Sequence, residues 1–247
     1  MNLSREETTM PVQLLCVPFA GAGASFFHPW RDAEVAGVTV HPVQLPGRER
    51  RIAEAPCTDV HRAADGLLEE VARLPLGPGP LALFGHSLGA VLAYELARRL
   101  EANGIPVARL FVSGSPDPWT VRERRASGLD DDRFLARVEE LAGYRHPVFD
   151  HPEMREILLP ALRADVEMHE AYRPLSAEPL AAPITVLHAV SDELVSLGQA
   201  AGWKAATAAA FELVELPGGH MYLTGSPAVV LSVVARSTAE PAVRGPR

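Results

Sequence analysis

The chain has 247 residues, 47% hydrophobic and 22% charged, with a formal net charge of −8 at pH 7 and two cysteines. That length suits one large α/β domain or two small ones, with enough chain to bury a real core. The acidic balance excludes a nonspecific nucleic-acid binder, which needs a segregated basic face, and so few cysteines exclude a disulfide scaffold.

The opening Met1-Asn-Leu-Ser-Arg-Glu-Glu has no apolar stretch and predicts no signal peptide. The longest apolar runs, such as residues 80–84 and 205–211, fall far short of a membrane span. The expectation is a soluble, cytoplasmic protein with no membrane partner. Residues 12–18 and 38–43 predict strands, and residues 59–73 a helix. Cys16, in the first strand, and Cys57, in a Pro/Thr turn, read as reduced thiols. Residues 81–85 form an apolar run ending at glycine, as a buried parallel strand should. Leu88, Val91, Leu92, Leu96 and Leu100 then recur at helical spacing until Asn103-Gly104 stops them. Residues 107–112, 184–188 and 212–216 predict further strands. Residues 228–235 predict a last helix, followed by a tail, 238–247, expected to be disordered. This alternation predicts an α/β fold: a doubly wound, mostly parallel sheet in a single domain over residues 1–247.

One interval breaks the alternation. About seventy residues separate the strand ending near Ser113 from the one starting at Ile184, far more than a crossover needs. Helical periodicity at 131–142 and 152–172 makes residues 117–180 an inserted helical lid over the carboxyl edge of the sheet, where open α/β sheets bind ligands.

The strongest chemical signal is Gly85-His86-Ser87-Leu88-Gly89, set between a buried strand and an amphipathic helix. That is the strand–turn–helix of a nucleophile elbow, in which small residues flank a serine raised above the sheet at a helix N-terminus. A plain turn with Ser87 as N-cap is the alternative. A serine hydroxyl needs a base. His220, in Pro217-Gly-Gly-His-Met, follows the last strand and the nucleophile in the required order, whereas His86 shares a tight turn with Ser87 and reads as structural. Asp192, in Ala189-Val-Ser-Asp, lies between Ser87 and His220 and is the candidate to orient the imidazole. Asp117 is its rival, and Glu193 should point elsewhere. The oxyanion needs two backbone N–H donors. Leu88 supplies one, and the turn Val17-Pro-Phe-Ala-Gly-Ala-Gly23 supplies the other through Ala20, with Phe19 as the fallback because Pro18 has no N–H.

Other features have plainer readings. Gly21-x-Gly23 lacks the third glycine and the acidic residue of a dinucleotide site, and a single lysine, Lys204, cannot build a phosphate-binding Walker loop. Asp130-Asp-Asp132 reads as helix-capping charge, and no metal or cofactor is predicted. Arg48-Glu-Arg-Arg51 and Arg122-Glu-Arg-Arg125 read as solvated surface, or as docking sites for an acidic partner, with Arg48 and Arg124 singled out. Phe26, Phe27 and Trp30 belong to the core or a pocket wall.

Pro18-Phe-Ala-Gly-Ala-Gly-Ala-Ser-Phe-Phe, Gln44-Leu-Pro-Gly-Arg-Glu, Gly85-His-Ser-Leu-Gly-Ala, Ser191-Asp and Gly218-Gly-His, in that order over residues 12–235, resemble the stand-alone type II thioesterases of polyketide and nonribosomal peptide assembly lines. The resemblance implies an α/β-hydrolase with a helical lid. It implies hydrolysis of acyl thioesters on the phosphopantetheine arm of an acyl or peptidyl carrier protein, releasing aberrant or stalled acyl groups. A first strand starting about ten residues into the chain suits the stand-alone type. Departures are Leu88 where methionine is common, Gly-Ala-Gly where glycines are usually adjacent, and no arginine in Ser113-Gly-Ser-Pro-Asp. A carboxylesterase or lipase with the same triad, or a catalytically retired hydrolase fold used for binding, are the competing readings.

Overall fold

The computed structural model describes residues 10–239 apart from 34, 124, 143–146 and 226. Six strands are described: β1 (Val12–Val17), β2 (Val38–Pro42), β3 (Leu81–His86), β4 (Arg109–Ser113), β5 (Ile184–Ala189) and β6 (Phe211–Leu216). They form one sheet in the order β2-β1-β3-β4-β5-β6, and every neighbouring pair is parallel. Side chains alternate strictly. Leu15, Val17, Leu83 and Val112 pack on one face with α2 (Val60–Val71) and α3 (Leu88–Ala102). Leu14, Cys16, Phe84 and Phe111 pack on the other with α1 (His28–Asp32) and α7 (Pro227–Ala239). Because both faces are covered, the inner strands β1, β3, β4 and β5 read as largely apolar runs, while the edge strands β2 (VTVHP) and β6 (FELVEL) are interrupted by polar, partly exposed residues.

The first helix crosses to one side and the next to the other, so the chain reverses between β1 and β3. Carboxyl ends at such a switch point diverge and leave a crevice. The register sets Val17 beside Gly85 and His86 beside Ser113, so the turns after β1, β3 and β4 emerge together.

Between β4 and β5 lie α4 (Asp131–Ala142) and α5 (Pro152–Ala171). They share a small separate cluster of Phe134, Leu135, Leu159 and Leu162. Asp130 caps α4 by accepting the Arg133 N–H at 3.0 Å, and Asp131 and Asp132 pair with Arg163 and Arg155 of α5, each at 2.7 Å. The acidic triplet is thus both cap and helix–helix bridge.

The sequence misses α1 and α6 (Leu197–Ala201), both five residues long, too short to display a period. The last helix runs on to Ala239, which takes in the first two residues of the expected tail; residues 240–247 lie outside the described part. Among the described residues, no helix is long and apolar enough to cross a membrane.

Candidate active site

Ser87 sits between β3 and α3 with φ 53° and ψ −118°. Only it and Glu49, among the described non-glycine residues, have positive φ. Such a conformation costs on the order of 1–3 kcal/mol and persists only where the surroundings impose it. Here its N–H is held by the Ser113 carbonyl at 2.8 Å, and its carbonyl accepts the Ala90 N–H at 3.1 Å. The flanking glycines are required by contact. A Cβ on Gly85 would lie 2.0 Å from the Gly89 carbonyl oxygen, and one on Gly89 would lie 2.5 Å from that of Val17.

The loop after β5 folds on Asp192, whose Oδ1 accepts the N–H groups of Leu194 at 2.8 Å and Val195 at 3.1 Å. Its Oδ2 is thereby turned toward His220, with Nδ1 at 2.9 Å. The loop after β6 reaches that position through Gly218, at φ +112°, whose carbonyl accepts the Ser191 N–H at 3.0 Å and ties the two loops together. The Asp192 side chain is 1% exposed and that of His220 11%. Burial works to raise the Asp192 carboxyl, but the hydrogen bond and charge of His220 and the two loop amides outweigh it, so the group is held below the ordinary carboxylate range. Asp117, the rival, is occupied in its own turn by the Trp119 N–H, the Thr120 N–H and the Thr120 hydroxyl. Glu193 is exposed.

Ser87 and His220 line one cavity of about 620 Å³, together with Phe19 and Ala20 from the turn after β1. The segment between β4 and β5 lines it with Leu135, Val138, Phe149, Leu162 and Val166, beside the polar Glu139 and Glu170. Phe26 also lines it, while Phe27 and Trp30 are buried under the sheet. In the turn, Gly21 N–H is taken by Asp165 Oδ2 at 2.8 Å and Ala22 N–H by the Phe19 carbonyl at 3.0 Å. Leu88 is the first residue of α3, where a backbone N–H has no intrahelical acceptor.

Two more histidines stand close by. His86 is buried, with Nδ1 3.0 Å from Ser113 Oγ and its ring 4.8 Å from that of His220. Burial foremost, then His220 and His169, holds it well below the ordinary histidine value, so it is neutral and structural, in line with the sequence. His169, on α5, lines the cavity and was not singled out by sequence. Burial, with Arg122 and His220 adding to it, lowers it to about 3. Its signal was available: Leu162, Val166 and His169 recur at i, i+4, i+7, the spacing of one helix face.

The basic clusters need correction. Arg48 is 5% exposed and bonded to the fully buried Asp165, so it is no solvated docking residue. Arg122 is buried, its guanidinium 5.0 Å over the Tyr172 ring. Arg50 and Arg51 pair with Glu70 and Glu54, and Arg124 lies outside the described residues.

A family model described as the thioesterase domain matches residues 12–237. The chain is 36% identical over 215 residues to the gramicidin S biosynthesis protein GrsT of Aneurinibacillus migulanus, covering 86% of this chain and 83% of that one. It is 38% identical over 213 residues to a probable cadicidin biosynthesis thioesterase of Streptomyces griseus, covering 86% of this chain and 58% of that one. The chain therefore spans less than two thirds of that relative. Among solved structures, the type II thioesterase BorB from the borrelidin biosynthetic cluster is 33% identical, with a TM-score of 0.76 over 96% of this chain and 97% of its own. The type II thioesterase YbtT from the yersiniabactin pathway is 28% identical, with a TM-score of 0.84 over 94% of each chain.

Proposed function

We propose that this chain, which belongs to the thioesterase family, hydrolyses acyl groups held as thioesters on the phosphopantetheine arm of an acyl or peptidyl carrier protein, clearing aberrant or stalled units from a polyketide or nonribosomal peptide assembly line. The observation that carries the chemistry is the 2.9 Å contact from His220 Nδ1 to Asp192, at a cavity shared with a serine in a strained elbow. In this reading Ser87 attacks the thioester carbonyl as His220 Nε2 takes its proton, and Asp192 fixes the imidazole tautomer and stabilises its cation. The amides of Ala20 and Leu88, or Phe19 in place of Ala20, hold the oxyanion. The pantetheine thiol leaves with the proton from His220, and a water activated by the same histidine then cleaves the acyl-serine. Residues 117–180 act as a lid whose apolar wall receives the acyl chain and whose motion gates entry. The reaction takes place in the cytoplasm.

A panel of acyl-carrier thioesters of increasing chain length, set against p-nitrophenyl esters, tests the reading. We expect the carrier-bound thioesters to be turned over with the higher kcat/KM, and Ser87→Ala to lose several orders of magnitude in kcat while keeping the wild-type Tm. Preference for the oxygen esters would point to a carboxylesterase. Failure of a fluorophosphonate to label Ser87 would point to a retired binding module. Near-full activity of Ser87→Ala would remove the nucleophile.

A further inference from the structure

The turn after β1 is gripped from outside at four positions, Gly21, Ala22, Ala24 and Ser25. Asp165 Oδ2 accepts the Gly21 N–H at 2.8 Å. Arg48 Nη1 donates to the Ala22 carbonyl at 3.1 Å, Gln44 Oε1 accepts the Ala24 N–H at 3.0 Å, and Glu49 accepts the Ser25 N–H at 3.2 Å. Three of these four grips come from the segment after β2. The fourth comes from the middle of α5, the helix that also gives the cavity Leu162, Val166 and His169.

Asp165 and Arg48 are joined to each other by two hydrogen bonds, Nη1–Oδ2 at 2.5 Å and Nη2–Oδ1 at 2.7 Å, and their side chains are 0% and 5% exposed. A buried pair of this kind gains little net stability, because desolvating both charges offsets their attraction, and apolar residues of similar size commonly do as well. Stability alone therefore gives weak reason for it. Its placement gives a better one. The same carboxylate oxygen that takes Arg48 also takes the amide next to Ala20, and Leu162 of α5 presses on the same residue: a Cβ on Gly21 would lie 3.0 Å from Leu162 Cδ1.

We propose that Asp165 and Arg48 are positioning residues for the reaction: they fasten the oxyanion turn, through Gly21 N–H and the Ala22 carbonyl, to the helix that walls the acyl cavity, so that the acyl site and the Phe19–Ala20 amides are set as one unit. This rests on the proposed function in taking Ser87 as nucleophile and those amides as oxyanion donors. Displacing α5 frees the Gly21 amide, and the neighbouring amides lose their aim.

The test reads Ser87 labelling by a fluorophosphonate, whose phosphoryl oxygen occupies the oxyanion position. It needs neither thioester nor carrier, so failure of the substrate reading leaves it standing. Two double variants are compared, Arg48→Met with Asp165→Leu and Arg48→Met with Asp165→Asn. Both remove the charge pair, but only the second keeps a carbonyl oxygen for Gly21 N–H. Both lose the Arg48 donor to the Ala22 carbonyl, so both should fold with a Tm several degrees below wild type and within a few degrees of each other. The leucine version should label on the order of 10–100-fold more slowly, and the asparagine version should recover most of that loss, as expected for an ill-aimed oxyanion donor. With an N-acetylcysteamine thioester the deficit should fall on kcat and leave KM within about threefold. Equal labelling by the two variants, at any level, overturns the proposal. Should the apolar pair not fold, Asp165→Glu keeps the ion pair and shifts the Gly21 acceptor by one methylene. Wild-type labelling by that variant would overturn the proposal equally, and labelling about tenfold slower at an unchanged Tm supports it.

Discussion

The elbow makes a steric demand that a single methyl group can test. A Cβ on Gly85 would lie 2.0 Å from the Gly89 carbonyl oxygen, 2.2 Å from its carbon and 2.6 Å from the Ala90 nitrogen. All three are backbone atoms in the first turn of α3, so no side-chain rotation relieves the clash. Restoring ordinary carbon contacts near ~3.5 Å requires the end of β3 and the start of α3 to part by about 1.5 Å. Ser87 lies between them and must move with one or the other. A misplacement of about 1 Å in a reacting group costs about 10²-fold. Gly85→Ala should therefore lower kcat by about 10²-fold or more, with an overpacking cost on the order of 1–3 kcal/mol. Gly66→Ala, inside α2 with nothing within 4 Å of the added Cβ, is the control. It should gain about 0.5–1 kcal/mol and leave activity alone. The assay is release of free thiol from an N-acetylcysteamine acyl thioester, with active sites counted by fluorophosphonate labelling and Tm followed by circular dichroism. A folded Gly85→Ala protein with kcat within about threefold of wild type would refute the reasoning.

Three further outcomes are expected. Asp192→Asn should lower kcat by as much as about 10⁴-fold at nearly unchanged KM, because a neutral amide no longer fixes the His220 tautomer or balances its charge; a loss under about tenfold would dismiss Asp192 as the orienting acid. His169, lowered to about 3 by its burial, by Arg122 and by His220, regains about 6.5 when the chain unfolds. The unfolded chain then binds more protons between those values, so the stability is complete above about pH 6.5 and is lost as pH falls toward 3, by about 1 kcal/mol between pH 6 and 5. Urea unfolding of His169→Gln should show a pH dependence shallower by that amount, and identical slopes would contradict it. Val166→Phe, which fills part of the apolar wall, should depress turnover of long acyl chains by about 10–200-fold for each methylene excluded and spare short ones; equal losses across a chain-length series would show that Val166 does not bound the acyl site.

The sequence was readable wherever a local pattern had only one packed outcome. β1 and β3 are buried on both faces, so their apolar runs announced themselves, and the serine, acid and histidine each follow a strand end in a fixed chain order. The inserted segment was visible as excess length. What escaped notice depends on contacts distant along the chain. Arg48-Glu-Arg-Arg51 has the composition of a solvated cluster, yet Arg48 meets Asp165, 117 residues away, in the interior. Nothing local separates it from Arg50, which is exposed and pairs with Glu70. Asp165 was equally hidden, since an acidic residue on an amphipathic helix ordinarily faces water. The helix α6 carried a readable start in Ser196 and Gln199, whose side chains form a capping box, but five residues give no period to follow it.

Lys204 is the one lysine among 23 basic residues, and at Arg48 the choice between the two cations has consequences that can be measured. The guanidinium reaches both carboxylate oxygens of Asp165, through Nη2 at 2.7 Å and Nη1 at 2.5 Å, while Nη1 also serves the Ala22 carbonyl. That requires a planar fork of separated donors. An ammonium on a chain of similar length is a compact point charge; in Arg48→Lys it could keep the charge balance but not two parallel bonds and the carbonyl together. Loss of one charge-assisted bond in a buried site costs about 1.5–3 kcal/mol, which for a chain of this size lowers Tm by about 3–12 °C. The bond to the Ala22 carbonyl, at 3.1 Å, is the longest of these three and goes to a neutral acceptor, so it is the one given up first. The turn after β1 would then loosen while the net charge of the site stays the same. Arg48→Lys should therefore melt several degrees below wild type and label Ser87 more slowly at every pH. A variant that keeps both Tm and labelling rate would mean that charge alone, and not the geometry of the fork, is what this position supplies.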